Sequence, residues 1–474
     1  LDRSSAASDV YKRQGYSRWA RPRTSPRRTS TATLPCASLR DLLGHSLFER
    51  LIGIGLIRRK GDSISSAVDI FCSGGMLFAT DHRYMLMEED RLDEDPVMYI
   101  GMDSHGLVQT APREECDRLL DLCCGSGIQG LVGSRYASSV IGVDLNPRAI
   151  RFSRFNAQLN GVENYEVRLG NLYSAVEGET FDVILGNPPF VPSPETDLKF
   201  RDGGNDGEAV LRRIVQSAER HLNAGGRLCV VTDLVGVDTY ETRLRQWWGG
   251  EKLEALVLTT ADRDEILFSV PHCHAPFGQQ LEEYNEELRR WVENYRKAGL
   301  KGVNFGYILV QNEQLVPGGD VTIRTIHNPS VPMHEEVSSW FDQRRIWASE
   351  NAPAMSMRLH PSVRLRSEHG SRPEDSRWEV GVEGNDFYTT YVIGEGIYEE
   401  LRRIDLDQPA LASRVTSEAA EWIEDLHRKG IIRLTRFPRR SSEYDRAPRS
   451  SGGQFEIEEI ATKTTPTCLS SYLS

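Results

Sequence analysis

Between residues 117 and 190 three apolar runs each stop on residues suited to binding rather than packing. The first ends in Asp121-Leu122-Cys123-Cys124-Gly125-Ser126-Gly127, the second in Asp144, and the third in Asn187-Pro188-Pro189-Phe190. Helical patterns separate them, over 128–136 and 147–159. Pro147 stands at the first helical position, where no N–H is needed, and Asn160-Gly161 signals a left-handed cap. Further strands are expected at 165–169, 181–186 and 227–235, with a helix over 209–222. Strands alternating with helices dictate a parallel α/β sheet with right-handed crossovers. In such a sheet ligands gather at the carboxyl ends of the strands, where all three runs end.

The whole chain sets bounds on this reading. At 474 residues it is too long for one ordinary core, and two to four domains are expected. A formal net charge of −12 argues against a general nucleic-acid binder and leaves room for a local basic groove. The eight cysteines show no CxxC pair and no regular spacing, which suggests reduced thiols and a cytoplasmic compartment. No uninterrupted apolar run is long enough to cross a bilayer, so no membrane partner is expected. Residues 1–36 carry eight Lys/Arg against two Asp/Glu. They read as a disordered or artefactual tail, or as an organelle-targeting one if genuine. The rest holds 49 basic and 67 acidic residues, a net of −18.

Four further segments are expected. Residues 37–97 read as a small N-terminal α+β domain with a wing-like end and an acidic linker at 88–96. Residues 98–318 form the core. Within it the 262–304 connection is too long for a hairpin loop, and Leu281, Leu288, Trp291, Val292 and Tyr295 recur at helical spacing. An inserted amphipathic helix is expected there, over the site or against a partner. Residues 319–440 read as a C-terminal α+β domain, poorly periodic before 375. In it Gly430-Ile431-Ile432-Arg433 echoes Gly55-Leu56-Ile57-Arg58, so a second winged-helix-like module is one reading and a chance echo the other. Residues 441–474 read as a disordered tail.

The motifs at the run ends point to a nucleotide-like cofactor. Residues 125–130 match GxGxxG, whose glycines permit a tight turn and close ligand approach. Dinucleotide dehydrogenases share the pattern, so it does not choose a cofactor by itself. Asp144, nineteen residues after Gly125, suits two ribose hydroxyls. Asp121 suits an amino group, directly or through water. Asn171 can accept from and donate to an adenine edge, and serves equally as a turn residue. The cofactor side is therefore expected to comprise Asp121, Cys123, Gly125, Gly127, Asp144, Leu145, Asn171 and Leu172. Asn187, Pro188, Pro189 and Phe190 make up the catalytic side. The Asn187 carboxamide oxygen and the Pro188 carbonyl can accept from a substrate NH2, aiming its lone pair at an electrophilic carbon. The prolines fix the backbone, and Phe190 offers a face to a planar group. This chemistry favours S-adenosylmethionine (SAM), whose sulfonium needs no general base to activate the nitrogen. His272-Cys273-His274 has poor zinc spacing, and no metal is expected.

With these residues in place, the chain resembles class I SAM-dependent methyltransferases, and within them the HemK/PrmC-like "methyltransferase small domain" group. The resemblance rests on DLCCGSG at 121–127, VDLNPRAI at 143–150, NAQLNG at 156–161, NPPF at 187–190, and GGNDG with RRI at 203–214. It covers about 98–312 and implies a Rossmann-like, seven-stranded core; the small winged-helix-like α+β domains expected to flank it are read from the residues themselves. It also implies an amide or amine nitrogen as acceptor. The first expectation is a protein glutamine side chain. The alternative is an RNA or DNA base (adenine N6 or guanine N2), and a non-catalytic SAM-fold interaction module comes from another class. The chain departs from the family pattern at Cys123 (usually Gly), Asn171 (usually Asp) and Phe190 (Tyr in glutamine methyltransferases, Phe also in rRNA-guanine relatives), and its flanking regions 37–96 and 320–440 do not look like the family's helical N-terminal recognition domain.

Overall fold

The computed structural model describes residues 34–82, 95–195, 198–249, 253–273, 281–313, 315, 318–326, 331–349, 355–369, 372, 376–404, 410–411, 417–435 and 459–460. The tail expected at 1–36, the linker at 88–96 and the tail at 441–474 fall largely outside these residues, as does His274.

Compactness divides the described chain near residue 67. The first unit holds β1 (Leu34–Pro35), α1 (Cys36–Leu43), α2 (His45–Gly53), β2 (Ile57–Lys60) and β3 (Ser63–Ser66). Its strands pair antiparallel in the order β1-β3-β2. Phe48 and Ile64 are its buried anchors.

The second unit opens on a hairpin, β4 (Asp69–Ser73) and β5 (Met76–Thr80), and then α3 (Met102–Thr110). The core follows as β6 (Cys116–Leu122), α4 (Ile128–Gly133), β7 (Ala137–Asp144), α5 (Pro147–Leu159), β8 (Tyr165–Leu169), β9 (Phe181–Gly186), α6 (Ala209–His221), β10 (Leu222–Val235), α7 (Tyr240–Trp248) and β11 (Glu254–Thr259). After α8 (Glu265–Ser269) and α9 (Leu281–Lys297) come β12 (Val303–Gln311) and β13 (Asp320–Thr325). The sheet order is β13-β11-β12-β10-β9-β6-β7-β8. Only β12 runs antiparallel to its neighbours. The central strands are apolar on both faces because helices cover both sides. One core layer holds Leu119, Val140 and Leu309, the other Leu120, Ile141 and Val310.

Two sequence expectations change here. The sheet has eight strands rather than seven, because β13 pairs in parallel with β11 beyond the expected boundary at 318. The 69–80 hairpin, assigned from sequence to a 37–97 domain, groups with the core instead. Side-chain amides hold it there. Asn156 Nδ2 donates to the Ala79 carbonyl and its Oδ1 accepts from the Ala79 N–H, while Asn160 does the same with Leu77.

The C-terminal region is ordered by α10 (His334–Trp347), β14 (Ser356–Leu359), β15 (Val363–Glu368), β16 (Arg377–Val382), β17 (Tyr391–Ile393), α11 (Glu395–Ile404), β18 (Ala410–Leu411), α12 (Ser417–Arg428), β19 (Ile432–Thr435) and β20 (Glu459–Ile460). It forms two small sheets, β18-β14-β19 and β17-β16-β15-β20. The echo between Gly55 and Gly430 has a geometric basis. Both glycines have φ near +75°. Leu56 and Ile431 donate back to the carbonyls of Leu51 and Leu426, so each helix turns into a strand through the same C-terminal cap.

Candidate active site

The Gly-rich turn is built by conformations that few side chains tolerate. Gly125 and Gly127 have φ of 53° and 86°. A Cβ at Gly127 would stand 2.9 Å from Ser153 Oγ, and one at Gly130 would stand 2.7 Å from the Tyr165 ring. The turn therefore opens α4 close against the sheet. Asp144, at the tip of β7, fastens it. One carboxylate oxygen accepts from the Gly125 N–H at 2.8 Å and the other from the Asn146 N–H at 2.8 Å. Each oxygen keeps capacity for a further donor. Burial raises the Asp144 pKa above the ordinary carboxylate value, opposed by these backbone N–H groups.

A cavity of about 350 Å³ lies beside this turn, within the range of small-molecule sites. Cys123, Gly125, Asp144, Leu145, Asn171 and Leu172 stand on its wall, as do Asn187 and Pro189. The tips of β6, β7, β8 and β9 thus meet in one space. Asp121, Gly127, Pro188 and Phe190 are not on the wall. Asp121 is fully buried behind it, with one oxygen accepting from the Gly130 N–H at 2.8 Å and the other without a protein partner. Burial pushes its pKa up to about 8, with the neighbouring Asp144 adding to the rise. The direct amino-group contact allowed from sequence is thus not the one the geometry offers; Asp121 supports the start of α4 from beneath. Asn171 Oδ1 accepts from Arg213 at 3.1 Å, and its side chain also caps the short helix at 172–175.

At the end of β9, Asn187 is held from the far side. Its Nδ2 donates to Asp103 Oδ2 at 2.9 Å and to Ser104 Oγ at 3.2 Å, both on α3. This leaves Oδ1 as the uncommitted face of the carboxamide. Pro188 is buried, and Phe190 is half-buried, 6.4 Å from the Phe305 ring centroid. Phe190 also packs on the cluster formed by Phe268, Trp291 and Tyr295 of the 262–304 insertion. The expected α9 is present. Its Trp291, Val292 and Tyr295 are buried, but Leu281 is 73% exposed. The GGNDG stretch braces the same loop. The Gly203 N–H donates to the Val191 carbonyl at 3.0 Å, and a Cβ at Gly207 would stand 2.4 Å from the Phe190 carbonyl oxygen. His272 and Cys273 are used locally: His272 stacks on Trp291, and the Cys273 thiol donates to the Ser269 carbonyl.

Sequence reasoning missed three contributors. Asp103 and Ser104 lie on a helix whose residues are buried nearly all round, so no stripe singles them out. Lys199 reaches Asp95 at 2.5 Å, both on the wall. A different signal marks the wall as a whole. Among the described residues, the non-glycine positions with positive φ are Asp95, Cys123 and Leu172, and all three line the cavity. Strained backbone of this kind gathers at functional sites.

Residues 100–250 match the methyltransferase small domain. A candidate protein N5-glutamine methyltransferase of Methanocaldococcus jannaschii is 36% identical over 115 residues, 23% of this chain and 57% of that one. The release factor glutamine methyltransferase of Thermodesulfovibrio yellowstonii is 29% identical over 123 residues, 23% of this chain and 44% of its own. The ribosomal RNA small subunit methyltransferase C of Escherichia coli is 31% identical over 137 residues, 28% of this chain and 36% of its own. The chain thus spans between 36% and 57% of the length of these relatives. The match ends before β11, β12, β13 and the C-terminal sheets. The cavity suits a nucleoside cofactor: a carboxylate at the β7 tip, apolar Leu145 and Leu172 beside it, and the amide of Asn171 at the β8 tip.

Proposed function

We propose that this chain is a SAM-dependent N-methyltransferase acting on a planar nitrogen, with a protein glutamine side chain as the acceptor. The observation that carries the reading is the shared wall. One cavity touches the Gly125 turn, the Asp144 carboxylate and Asn187, on neighbouring strand tips. Asp144, Asn171 and the Cys123–Gly125 turn would hold the cofactor, which supplies a methyl group on a positively charged sulfur. The residues then have two tasks. Asn187 Oδ1 and the Pro188 carbonyl accept the two N–H bonds of the acceptor nitrogen and aim its lone pair. They also favour the positive charge that builds on nitrogen as the bond forms. Two relatives whose names specify glutamine support the amide, and so does the net charge of −12. A nucleic-acid base is the second reading, favoured by Phe190 and by the rRNA-modifying relative.

The test is incubation of cell extract with labelled SAM and the full chain, followed by mass spectrometry of the labelled product. Label in protein, resistant to nuclease, is expected, and nuclease-sensitive label would select the base reading instead. Asn187→Ala should lower transfer by roughly a hundredfold or more while calorimetric SAM binding persists. Wild-type turnover in that variant, or binding of NAD without SAM, would overturn the proposal.

A further inference from the structure

We propose that Asp103 sets which face of the Asn187 carboxamide meets the acceptor nitrogen, making it a positioning residue for methyl transfer. The inference rests on the function proposed above. A carboxamide has an accepting oxygen and a donating NH2 of nearly equal size. Only the oxygen can receive the N–H bonds of an acceptor, and an NH2 in its place would present donors to donors. The sequence motif fixes the residue type but not its rotation.

The surroundings of Asp103 fix the rotation. Its side chain is buried, at 7% exposure. The carboxylate stands in the first turn of α3, where the helix favours an anion. Its Oδ2 takes the Asn187 Nδ2 at 2.9 Å, and Ser104 Oγ takes the same nitrogen at 3.2 Å. Burial raises the Asp103 pKa, and the Asn187 contact opposes the rise; in its ionised form the carboxylate offers no donor, so a rotated Asn187 would set oxygen against oxygen. The carboxylate is itself confined, because a Cβ at Gly101 would stand 2.4 Å from Asp103 Oδ1. The Asn187 oxygen is thereby left toward the cavity before any substrate arrives.

The arrangement makes an unusual exchange testable. In D103N the new side chain keeps its size. An NH2 in place of Oδ2 would meet the Asn187 NH2 as donor against donor, and so favours the rotated carboxamide. Turnover at saturating SAM, with protein of cell extract as acceptor, should fall on the order of ten- to a hundredfold. SAM affinity should stay within about twofold. N187D alone places two carboxylates together and should also be slow. In D103N/N187D the amide at 103 donates to the carboxylate at 187, whose second oxygen faces the cavity. Turnover should then exceed that of N187D by about tenfold or more. A merely structural role for Asp103 gives no such recovery. Unchanged turnover in D103N, or a double variant no faster than N187D, would overturn the proposal.

A second measurement is independent of the acceptor. In deuterated, asparagine-labelled full chain, one Asn187 side-chain proton, assigned by its loss in N187D, should resonate downfield and revert in D103N. No downfield proton in the wild type would overturn the role of Asp103. Absence of SAM binding by the wild type would instead defeat the proposed function, and the amide resonance would still decide this inference.

Discussion

Replacing Asp121 by Asn should change how the stability of the methyltransferase domain depends on pH. Asp121 is fully buried, with one oxygen on the Gly130 N–H and one without a protein partner. Burial, reinforced by Asp144, pushes its pKa from 3.8 to about 8. The folded chain therefore holds a proton that the unfolded chain has released throughout the window from about pH 4 to pH 8. Where the folded state binds more protons, stability falls as pH rises, by at most about 1.4 kcal/mol per pH unit for one group. Between pH 5 and pH 8 the ceiling is roughly 4 kcal/mol, and relaxation around the charge should leave on the order of 2 kcal/mol. Asp103, Asp144, Asp233 and Glu208 are also raised by burial and add slopes of the same sign. The variant isolates the Asp121 share. Its amide keeps the Gly130 contact, and any cost of its unpartnered NH2 is independent of pH. Urea unfolding of both proteins at pH 5 and pH 8 should be followed by hydrogen-exchange mass spectrometry of peptides from 116–144, so that the other domains do not mix in. The variant should gain on the wild type by roughly 2 kcal/mol between the two pH values. A gap that stays constant within about 0.5 kcal/mol would refute the reasoning.

The remaining expectations touch other parts of the chain. Gly207→Ala forces a Cβ against the Phe190 carbonyl at φ +75°; methyl transfer should fall at least about tenfold while calorimetric SAM binding is kept, with a stability loss of roughly 1–3 kcal/mol in urea. Asp144→Ala removes the acceptor for the Gly125 and Asn146 amides, and SAM binding by calorimetry should weaken by about tenfold or more. At Cys123, with φ of 57°, C123G should keep wild-type stability within about 1 kcal/mol, because relief of strain offsets lost packing. C123V should lose roughly 2 kcal/mol in the same thermal scan, since a β-branched residue tolerates that conformation poorly. His427 is buried against Trp347, and burial lowers its pKa to about 4. The unfolded chain then binds the extra proton between about pH 6.5 and pH 4, so C-terminal peptides should exchange faster as pH falls through that window, after correction for intrinsic rates.

How much of this was legible depends on what each residue does. The parallel core was readable because its strands are apolar and its helices periodic. The expected 147–159, 165–169 and 181–186 elements coincide with α5, β8 and β9. The strand-tip residues were readable because turn chemistry marks them. The hairpin at 69–80 was misassigned because its docking depends on Asn156 and Asn160, which look in sequence like a helix surface and a cap. β13 was hidden by Arg324, a charged residue that suggests solvent. Its guanidinium lies 4.3 Å from the Phe387 ring centroid and 5.2 Å from that of Tyr388, at 5% exposure. An arginine stacked on aromatic rings is buried without looking apolar.

The places where local rules fail are informative in their own right. A sequence that specifies its fold well agrees with itself at every level, and conflicts concentrate where function demands them. Asp95, Cys123 and Leu172 break the backbone rule in three separate segments, one before the core, one after β6 and one after β8. Each costs on the order of 1 kcal/mol or more. Neither packing nor chain reversal requires three such costs to converge on one space. Asp95 is held by Asn146, whose Nδ2 donates to its carbonyl, and by Lys199. Cys123 is followed by a turn tied to Asp144, and Leu172 follows the capping Asn171. The chain thus spends its hydrogen bonds on keeping these conformations in place before any ligand binds. A site whose walls are fixed in advance loses less freedom on binding, which is what methyl transfer between two separately bound reactants requires.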